Sequence, residues 1–593
     1  MQWYVKPKPP KEFLNQFPEF PSLILQLLYN RGITTQEKID EFFNPDYSSD
    51  LHNPFLLKDI KKAVKRILKA VKNKEKIVIY GDYDTDGVCS TAILYLTLKE
   101  LGAEKIEVYI PDRDKERHGL NEDSVRLLKK TNTNLIITVD CGSDNIKEVD
   151  LARDLGIDVI ITDHHEVKDK LPNAIAIVNP KRKDGKYPFR ELAGAGVAFK
   201  LVQAISETVY NDNPKNGDKL KNFQKWLLDL VAIATVTDVM PIIGENRTLV
   251  KYGLGVLAQT RWLGLRELMK VAGINPKVTR YSASGEAPLS NLNTYTLGFI
   301  LGPRISAASR IDHADVAFKL LITRDKNEAV NLAKDLNEKN VKRQSLSSEI
   351  VKEIEKRIEG KADSEKIIFE GDEKWPAGLV GLVASIISEK YRKPTFISQI
   401  KGDIIYTSAR SGVDAFNLID SIKKCSDLLE KYGGHSGAAG FTVKTEKLEE
   451  VKGKLINIAE KILTDEDLIP KLEIDAEISP SDINWESYEK LEEFEPFGEK
   501  NPYPKFLVRN LTVNGMSIVG NNGKHLRMTL ISEDNKRSSG VNLFKAIGFD
   551  LGHFYQKVKI GDKIDLVFEF LINEWEGLRD LQLKIIDLKI SNP

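Results

Sequence analysis

Between residues 76 and 180, short apolar runs recur at a steady interval: KIVIY, IEVYI, LIITVD, DVIITD and AIAIVNP. Each is too short for a helix and rich in β-branched side chains, which suits a strand covered on both faces. The segments between them, such as STAILYLTLKELG and NEDSVRLLKKT, carry a helical period. This β-α-β alternation predicts a mostly parallel sheet covered by helices.

The pattern changes outside that stretch. Residues 1–50 read as a helical N-terminal lead-in, with EFLNQFPEFPSLILQLLYNRG and TTQEKIDEFF as short amphipathic pieces, and DIKKAVKRILKAVKNKEK follows as a basic amphipathic helix. Residues 195–320 are helix-rich, which closes a first α/β domain over 51–323. A charged segment with unbroken helical period, KNEAVNLAKDLNEKNVKRQSLSSEIVKEIEKRIEG, predicts one connecting helix over 324–360. A smaller α/β pattern occupies 361–465: KIIFEGD, a helix near 379–391, PTFISQI, IIYTSAR and a glycine-rich turn at 433–440. From 466 to 593 five short strands suggest a small β-barrel of the OB type, with an SH3-like barrel as the alternative.

Composition narrows the class. The chain has 593 residues, 41% hydrophobic and 29% charged, an ordinary globular balance with material for several cores. No apolar run reaches the roughly 18 residues a membrane span needs, and MQWYVKPKPPKEF has no apolar signal-peptide core. The three cysteines, Cys89, Cys141 and Cys425, form neither a disulfide framework nor a C-x-x-C zinc site. A cytoplasmic protein without membrane contact is the expectation. The 87 basic and 87 acidic residues cancel, which neither supports nor excludes a nucleic-acid groove.

The chemistry sits where the apolar runs stop. KIVIY is followed by Gly81-Asp82-Tyr83-Asp84-Thr85-Asp86-Gly87, which has the spacing that opens an EF-hand calcium loop. That loop needs a preceding helix and a glutamate at its twelfth position; here a strand precedes, and the twelfth residue is Ile93. The alternative is acids delivered by the carboxyl ends of parallel strands, where open sheets gather ligands. It requires other strands to end likewise, and they do: LIITVD at Asp140, and DVIITD at Asp163 followed by His164 and His165. One such acid would be an ordinary turn or cap; the set is a constellation. Asp238, at the end of VAIATVTD, adds a further acid. Oxygen ligands with one or two imidazoles suit Mn²⁺ or Mg²⁺. A cluster this dense implies two ions, as in phosphoryl-transfer sites.

GDYDTDG, TVDCGSD, TDHHEV and TVTDVMP resemble motifs I to IV of the DHH phosphoesterase superfamily. NPKRKDGKYPFRELAGAGVAFKL, ENRTLVKYGL, GPRISAASRI, WPAGLVGLVAS, SARS, KYGGHSGAAGF and PFGEKNPYPKF extend the resemblance, in order over about 50–593, to its RecJ family of single-stranded-DNA-specific exonucleases. The resemblance implies a DHH catalytic domain joined by the long helix to a DHH-associated substrate-binding domain. It also implies a role for the OB-like barrel in gripping single strands.

It further implies roles for residues. Asp84 and Asp86 would bind one metal each, with Asp82 in support. Asp140 would bridge the two ions, and His164 and Asp238 would complete the second site. Asp163 would orient an imidazole, and His165 would face the scissile phosphate. Arg113, Arg304, Arg310, Ser408, Arg410 and Ser411 would hold the strand's phosphates, with Gly433, Gly434 and His435 admitting and touching substrate. Lys524, Arg527, Lys536 and Arg537 are barrel candidates. Two places depart from the family pattern: Arg117-His118-Gly119 where Gly-Tyr-Gly is usual, and Ser306 and Ser309 where Asn and Gly are usual.

The expected activity is removal of 5′-mononucleotides from the 5′ end of single-stranded DNA, in repair and recombination, by a monomer. A helicase or a single-strand-binding protein is the partner class the resemblance suggests. The competing readings are a phosphodiesterase of short oligoribonucleotides or cyclic dinucleotides, and a catalytically silent DNA-binding scaffold. Neither is favoured: the first needs no barrel, and the second would have lost its acids.

Overall fold

A computed structural model describes residues 1–591 except 117, 282–287, 361–364, 521–522, 533–541 and 576–577. The chain forms two compact units, 47–470 and 1–46 with 471–593.

The larger unit is built on five parallel strands: β1 (Ile77–Tyr80), β2 (Ile106–Tyr109), β3 (Leu135–Val139), β4 (Asp158–Thr162) and β5 (Ala176–Val178). Their order in the sheet is β2-β1-β3-β4-β5. All of β1 and β3 is buried, which explains their unbroken apolar sequence. Each Ile, Val or Leu so buried contributes about 1.5–3 kcal/mol. The chain runs outward in opposite directions from β1 and β3, so the crevice at their carboxyl ends is the topological switch point.

Helices α1 (Thr85–Glu100), α2 (Gly194–Asp212), α3 (Leu228–Thr237), α4 (Gly244–Ala258) and α5 (Gly302–Ile311) cover the sheet and extend its core. The predicted connecting helix is α6 (Lys326–Ile358), about 50 Å long at 1.5 Å per residue. Asp325 caps it by accepting the Glu328 N–H. Its early apolar residues Ala333 and Leu336 join the first core; Ile350, Ile354 and Ile358 join the next.

That second part has the sheet order β9-β10-β8-β7-β6, from β6 (Ile368–Asp372), β7 (Thr395–Lys401), β8 (Ile404–Arg410), β9 (Lys431–Gly434) and β10 (Ala438–Lys444), with α7 (Ala377–Tyr391) packed on it. The stretch read as a glycine-rich turn is a hairpin. Gly433 and Gly434 lie in β9, paired with Gly440 and Ala439 of β10, because glycines without side chains can extend as readily as they turn.

In the other unit, β11 (Phe506–Val519), β12 (His525–Ser532), β13 (Asn542–Gly548), β14 (Lys563–Trp575) and β15 (Leu578–Ile590) pair in the order β11-β12-β13-β15-β14 round a barrel, closed by pairing of β11 with β14. The lead-in supplies short helices, including Ser22–Asn30 and Gln36–Phe43, and also a strand, Gln2–Val5, that pairs in parallel with Lys471–Ile474. Its Phe13, Leu25 and Phe42 share a core with Phe494, Phe506 and Phe568. Among the described residues no helix is long and apolar enough to cross a membrane.

Candidate metal centre and nucleic-acid cleft

The acidic loop after β1 is shaped by its own residues. Asp84 is the N-cap of α1 and accepts the Gly87 N–H at 3.0 Å. A Cβ on Gly87 would sit 2.5 Å from the Asp82 carbonyl oxygen, so only glycine fits there. Asp86, in the first turn of α1, is buried and receives N–H bonds from Gly194 at 2.6 Å and Ala195 at 2.7 Å, the opening residues of α2. Two helix N-termini thus stabilise its negative charge.

The other predicted ligands converge on the same point. Asp140 follows β3 with a left-handed φ of 59°. His164 Nε2 lies 3.1 Å from Asp140 Oδ1, 3.5 Å from Asp238 Oδ2 and 3.7 Å from Asp86 Oδ2. Asp238 arrives from the C-cap of α3. The oxygens of Asp82, Asp84 and Asp140 form a second convergent group within 4.8 Å of one another. Asp163 stands behind. Its Oδ1 accepts the backbone N–H groups of His164 and His165 and lies 2.8 Å from His165 Nδ1; its Oδ2 accepts the Ser143 N–H.

These groups fit divalent cations. Asp140 Oδ1 and His164 Nε2 are buried and lack any hydrogen-bond partner. Burial, then the charge of Asp84, pushes Asp86 up to about 7. Burial and the neighbouring carboxylates raise Asp84, Asp140 and Asp238 as well. Two carboxylates 4 Å apart repel by about 4 kcal/mol at an effective dielectric near 20, so a cation in their midst removes a large cost. Burial, with the adjacent His165, holds His164 down to about 3, in the neutral form a metal requires. Against its burial, Asp163 is held well below the usual range by His165, and His165 is raised in return.

A cleft of about 230 Å³ opens beside the acids, lined by Asp84, Asp86 and Asp238 together with Ser306, Arg310 and Arg343. Arg310 is pushed down to about 9 by burial and by Arg113 and Arg343, with a further contribution from Arg410. Cations crowded against one another in this way call for an anion. Arg113 lies over the Tyr83 ring, 4.9 Å from its centre. Arg410 and Ser408 approach Gly381 of α7: a Cβ there would stand 3.3 Å from the arginine Nη2 and 3.6 Å from the serine Oγ.

Other predicted residues are engaged elsewhere or stand outside the convergent groups. Arg304 donates to Asn337 and to the Ile300 carbonyl. The Ser411 hydroxyl is bonded to both backbone groups of Val413. Gly433, Gly434 and His435 are exposed at the β9–β10 hairpin and outside the convergent ligand groups. On the barrel, Arg527 is exposed with its Nε 3.4 Å from the Ser517 hydroxyl, and Lys524 is exposed; Lys536, Arg537 and also Arg117 lie outside the described residues.

Three contributors escaped the sequence reading. His118 Nδ1 is 3.2 Å from Asp82 Oδ1, and its ring centre is 5.0 Å from that of His165; the charge of Asp82 outweighs burial and raises it to about 9. Its place in an unusual tripeptide was the one available hint. Arg343, held by Asn340, is one of many cations on α6 and carries no distinguishing mark. The N–H groups of Gly194 and Ala195 belong to the backbone, where no residue type announces them.

The chain matches three family models: the DHH family N-terminal domain over 76–235, the DHHA1 domain over 364–461 and the RecJ OB domain over 474–587. It is 37% identical over 596 residues to the single-stranded-DNA-specific exonuclease RecJ of Bacillus subtilis, covering all of this chain and 71% of that protein. To RecJ of Escherichia coli it is 29% identical, with 96% of each covered. The crystal structure of RecJ from Thermus thermophilus in complex with Mn²⁺ superposes on the whole chain and 80% of its own, with a TM-score of 0.81 and 26% identity.

Proposed function

The chain belongs to the RecJ family of single-stranded-DNA-specific exonucleases, and we propose that it removes 5′-mononucleotides from the 5′ end of single-stranded DNA in repair and recombination. It is a metal-dependent exonuclease working with Mn²⁺ or Mg²⁺. The observation that carries the reading is the cleft itself, whose lining joins clustered carboxylates to the guanidiniums of Arg310 and Arg343. A phosphodiester bound there meets both charges at once. The presence of a RecJ-type OB domain weighs against a substrate of only two or three nucleotides.

Asp82, Asp84 and Asp140 would hold one ion, and Asp86, His164 and Asp238 the other, with Asp140 shared between the sets. Two bound divalent cations supply Lewis-acid activation of water and neutralise charge developing at phosphorus. The chain's own residues do the rest. Gly194 and Ala195 fix both oxygens of Asp86. Asp163 fixes the His165 ring through Nδ1, so that Nε2 faces the scissile phosphate and stabilises its charge. Arg310, Arg343, Arg113 and Arg410 grip phosphates, Arg410 from the smaller sheet.

The assignment of parts follows: a catalytic part over 51–323, the connecting helix over 324–360, the substrate-binding part over 361–465 and the barrel over 466–593. Single-stranded DNA is the partner. A helicase or single-strand-binding protein would deliver it, and the working form would be a cytoplasmic monomer.

The test is a digestion. Wild type and Asp140→Ala are incubated with Mn²⁺ and single-stranded DNA labelled at either end, beside a blunt duplex and an RNA of the same sequence. Immediate release of labelled mononucleotide from the 5′-labelled single strand, absent with Asp140→Ala, is the expected result. Release first from the 3′ label, or cleavage confined to RNA, would overturn the reading.

A further inference from the structure

Asn246 has no exposed surface, yet the roles assigned above do not use it. It lies in the first turn of α4, in the segment ENRTLVKYGL. Its Nδ2 donates to the carbonyl of Glu191 at 2.5 Å and to the carbonyl of Pro241 at 3.1 Å. The two acceptors fix which end of the amide is nitrogen, since an oxygen there would face two carbonyl oxygens. Its Oδ1 is buried with no partner, so this geometry is kept at the expense of an unsatisfied acceptor.

The two carbonyls belong to the two loops that frame the second ion's ligands. Glu191 begins the turn into α2, whose Gly194 and Ala195 N–H groups hold Asp86. Gly194 also packs against Asp140, where a Cβ would lie 2.7 Å from Oδ1. Pro241 lies within the short loop, 238–243, that opens with Asp238 at the C-cap of α3. The distances from His164 Nε2 to Asp86 and to Asp238, 3.7 and 3.5 Å, therefore depend on how these loops sit relative to each other. A single planar NH₂ group joins them.

We infer that Asn246 is a positioning residue for the second metal site, setting the separation of Asp86 and Asp238 through the carbonyls of Glu191 and Pro241. The inference rests on the metal-dependent reading above, but its readout is metal affinity rather than cleavage. Groups that hydrogen-bond a ligand directly typically change metal affinity 10–100-fold when removed, and Asn246 acts one step further out through the two loops. A residue that merely packed would change stability alone.

Mn²⁺ is titrated calorimetrically into the full chain as wild type, Asn246→Ala and Glu245→Gln, with thermal melts in chelator alongside. Glu245 is the control: it forms a buried ion pair with Lys200 at 2.6 Å, one residue away but outside the two loops. Asn246→Ala is expected to weaken one of two Mn²⁺ sites about 10–100-fold, while its affinity for single-stranded DNA in chelator stays within about twofold. Glu245→Gln is expected to lower the melting temperature and leave both Mn²⁺ affinities unchanged. Wild-type affinity at both sites in Asn246→Ala, or equal weakening in Glu245→Gln, would overturn the inference. Should Asn246→Ala fail to fold, Asn246→Ser keeps one donor and is expected to show a smaller loss; unchanged affinity there would overturn it equally. A wild type that binds two Mn²⁺ ions but leaves single-stranded DNA intact would sink the nuclease reading and not this one.

Discussion

Arg310 donates from Nη1 to the carbonyl of Gly378 at 2.9 Å, tying α5, which borders the acids, to the first turn of α7 on the smaller sheet. The contact is close from both sides: a Cβ on Gly378 would lie 2.8 Å from the Arg310 carbonyl oxygen and 3.1 Å from its Cα. Gly378→Ala must therefore push the two helices apart, widening the cleft that Arg310 of α5 and Leu382 of α7 line. The expected outcome is a rise in KM for single-stranded DNA of about tenfold or more, equivalent to about 1.4 kcal/mol, with Mn²⁺ affinity retained. Steady-state kinetics with metal titration checks it.

Asp140→Asn should abolish turnover without harming the fold. In chelator its melting temperature should equal or exceed that of wild type, because the substitution removes one of several mutually repelling buried carboxylates. Adding Mn²⁺ should then raise the melting temperature of wild type, by up to about 2.7 kcal/mol of stability at a hundred times the dissociation constant, and leave the variant nearly unmoved. A variant that melts well below wild type in chelator would contradict the electrostatic account.

Gly194→Ala tests the second backbone cradle. Its Cβ would stand 2.7 Å from both Cβ and Oδ1 of Asp140, so the carboxylate must move. Loss of Mn²⁺ binding together with loss of activity is expected. Retention of both would show that Asp140 has room the structure does not give it.

Arg343→Ala should weaken binding more than chemistry. If its guanidinium neutralises one phosphate, the salt dependence of single-strand binding should flatten by about 0.7 in log–log slope. The affinity is best measured in chelator, where no cleavage occurs. An unchanged slope would place Arg343 outside the strand's path.

Asp229 provides a pH signature away from the metal ligands. It is fully buried, and burial lifts it to about 7 despite bonds from Thr260, Trp262 and the Leu230 N–H. A carboxyl whose folded value exceeds its unfolded value of about 3.9 stabilises the fold fully below that lower value. The contribution is lost as pH rises through about 7. Melting temperature should therefore fall between about pH 4 and pH 7, and Asp229→Asn should flatten that decline. Thermal melts across the range, in chelator, decide it.

The clustered acids were legible because most of them follow an apolar strand, and an acid ending such a run stands out in the sequence. Asp82, Asp84, Asp86, Asp140 and Asp163 share that signature, and the parallel order brings their strand ends together. Asp238 reads the same way from the end of a helix. His118 and Arg343 gave no comparable signal: one sits in an irregular loop, the other on a helix where a cation on the solvated face looks the same. The glycine-rich stretch 433–440 reads as a turn but belongs to the hairpin of Lys431–Gly434 and Ala438–Lys444, because glycine is compatible with both. Asn246 illustrates a deeper limit, since its partners are carbonyls at residues 191 and 241, and no residue type records where a carbonyl points.

The parallel pairing of Gln2–Val5 with Lys471–Ile474 has a consequence for how the molecule is made. This strand leaves the ribosome almost 470 residues before the partner it pairs with. At about 5–20 residues per second, that wait is on the order of a minute. Over that interval the apolar faces of the leading helices, with Leu25, Leu27, Leu28 and Phe42, have no barrel to cover them. The larger unit, contiguous from 47 to 470, has all its residues available before the barrel is synthesised. Nascent chains should therefore acquire a protease-resistant centre while residues 1–46 still lack the partners they pack against.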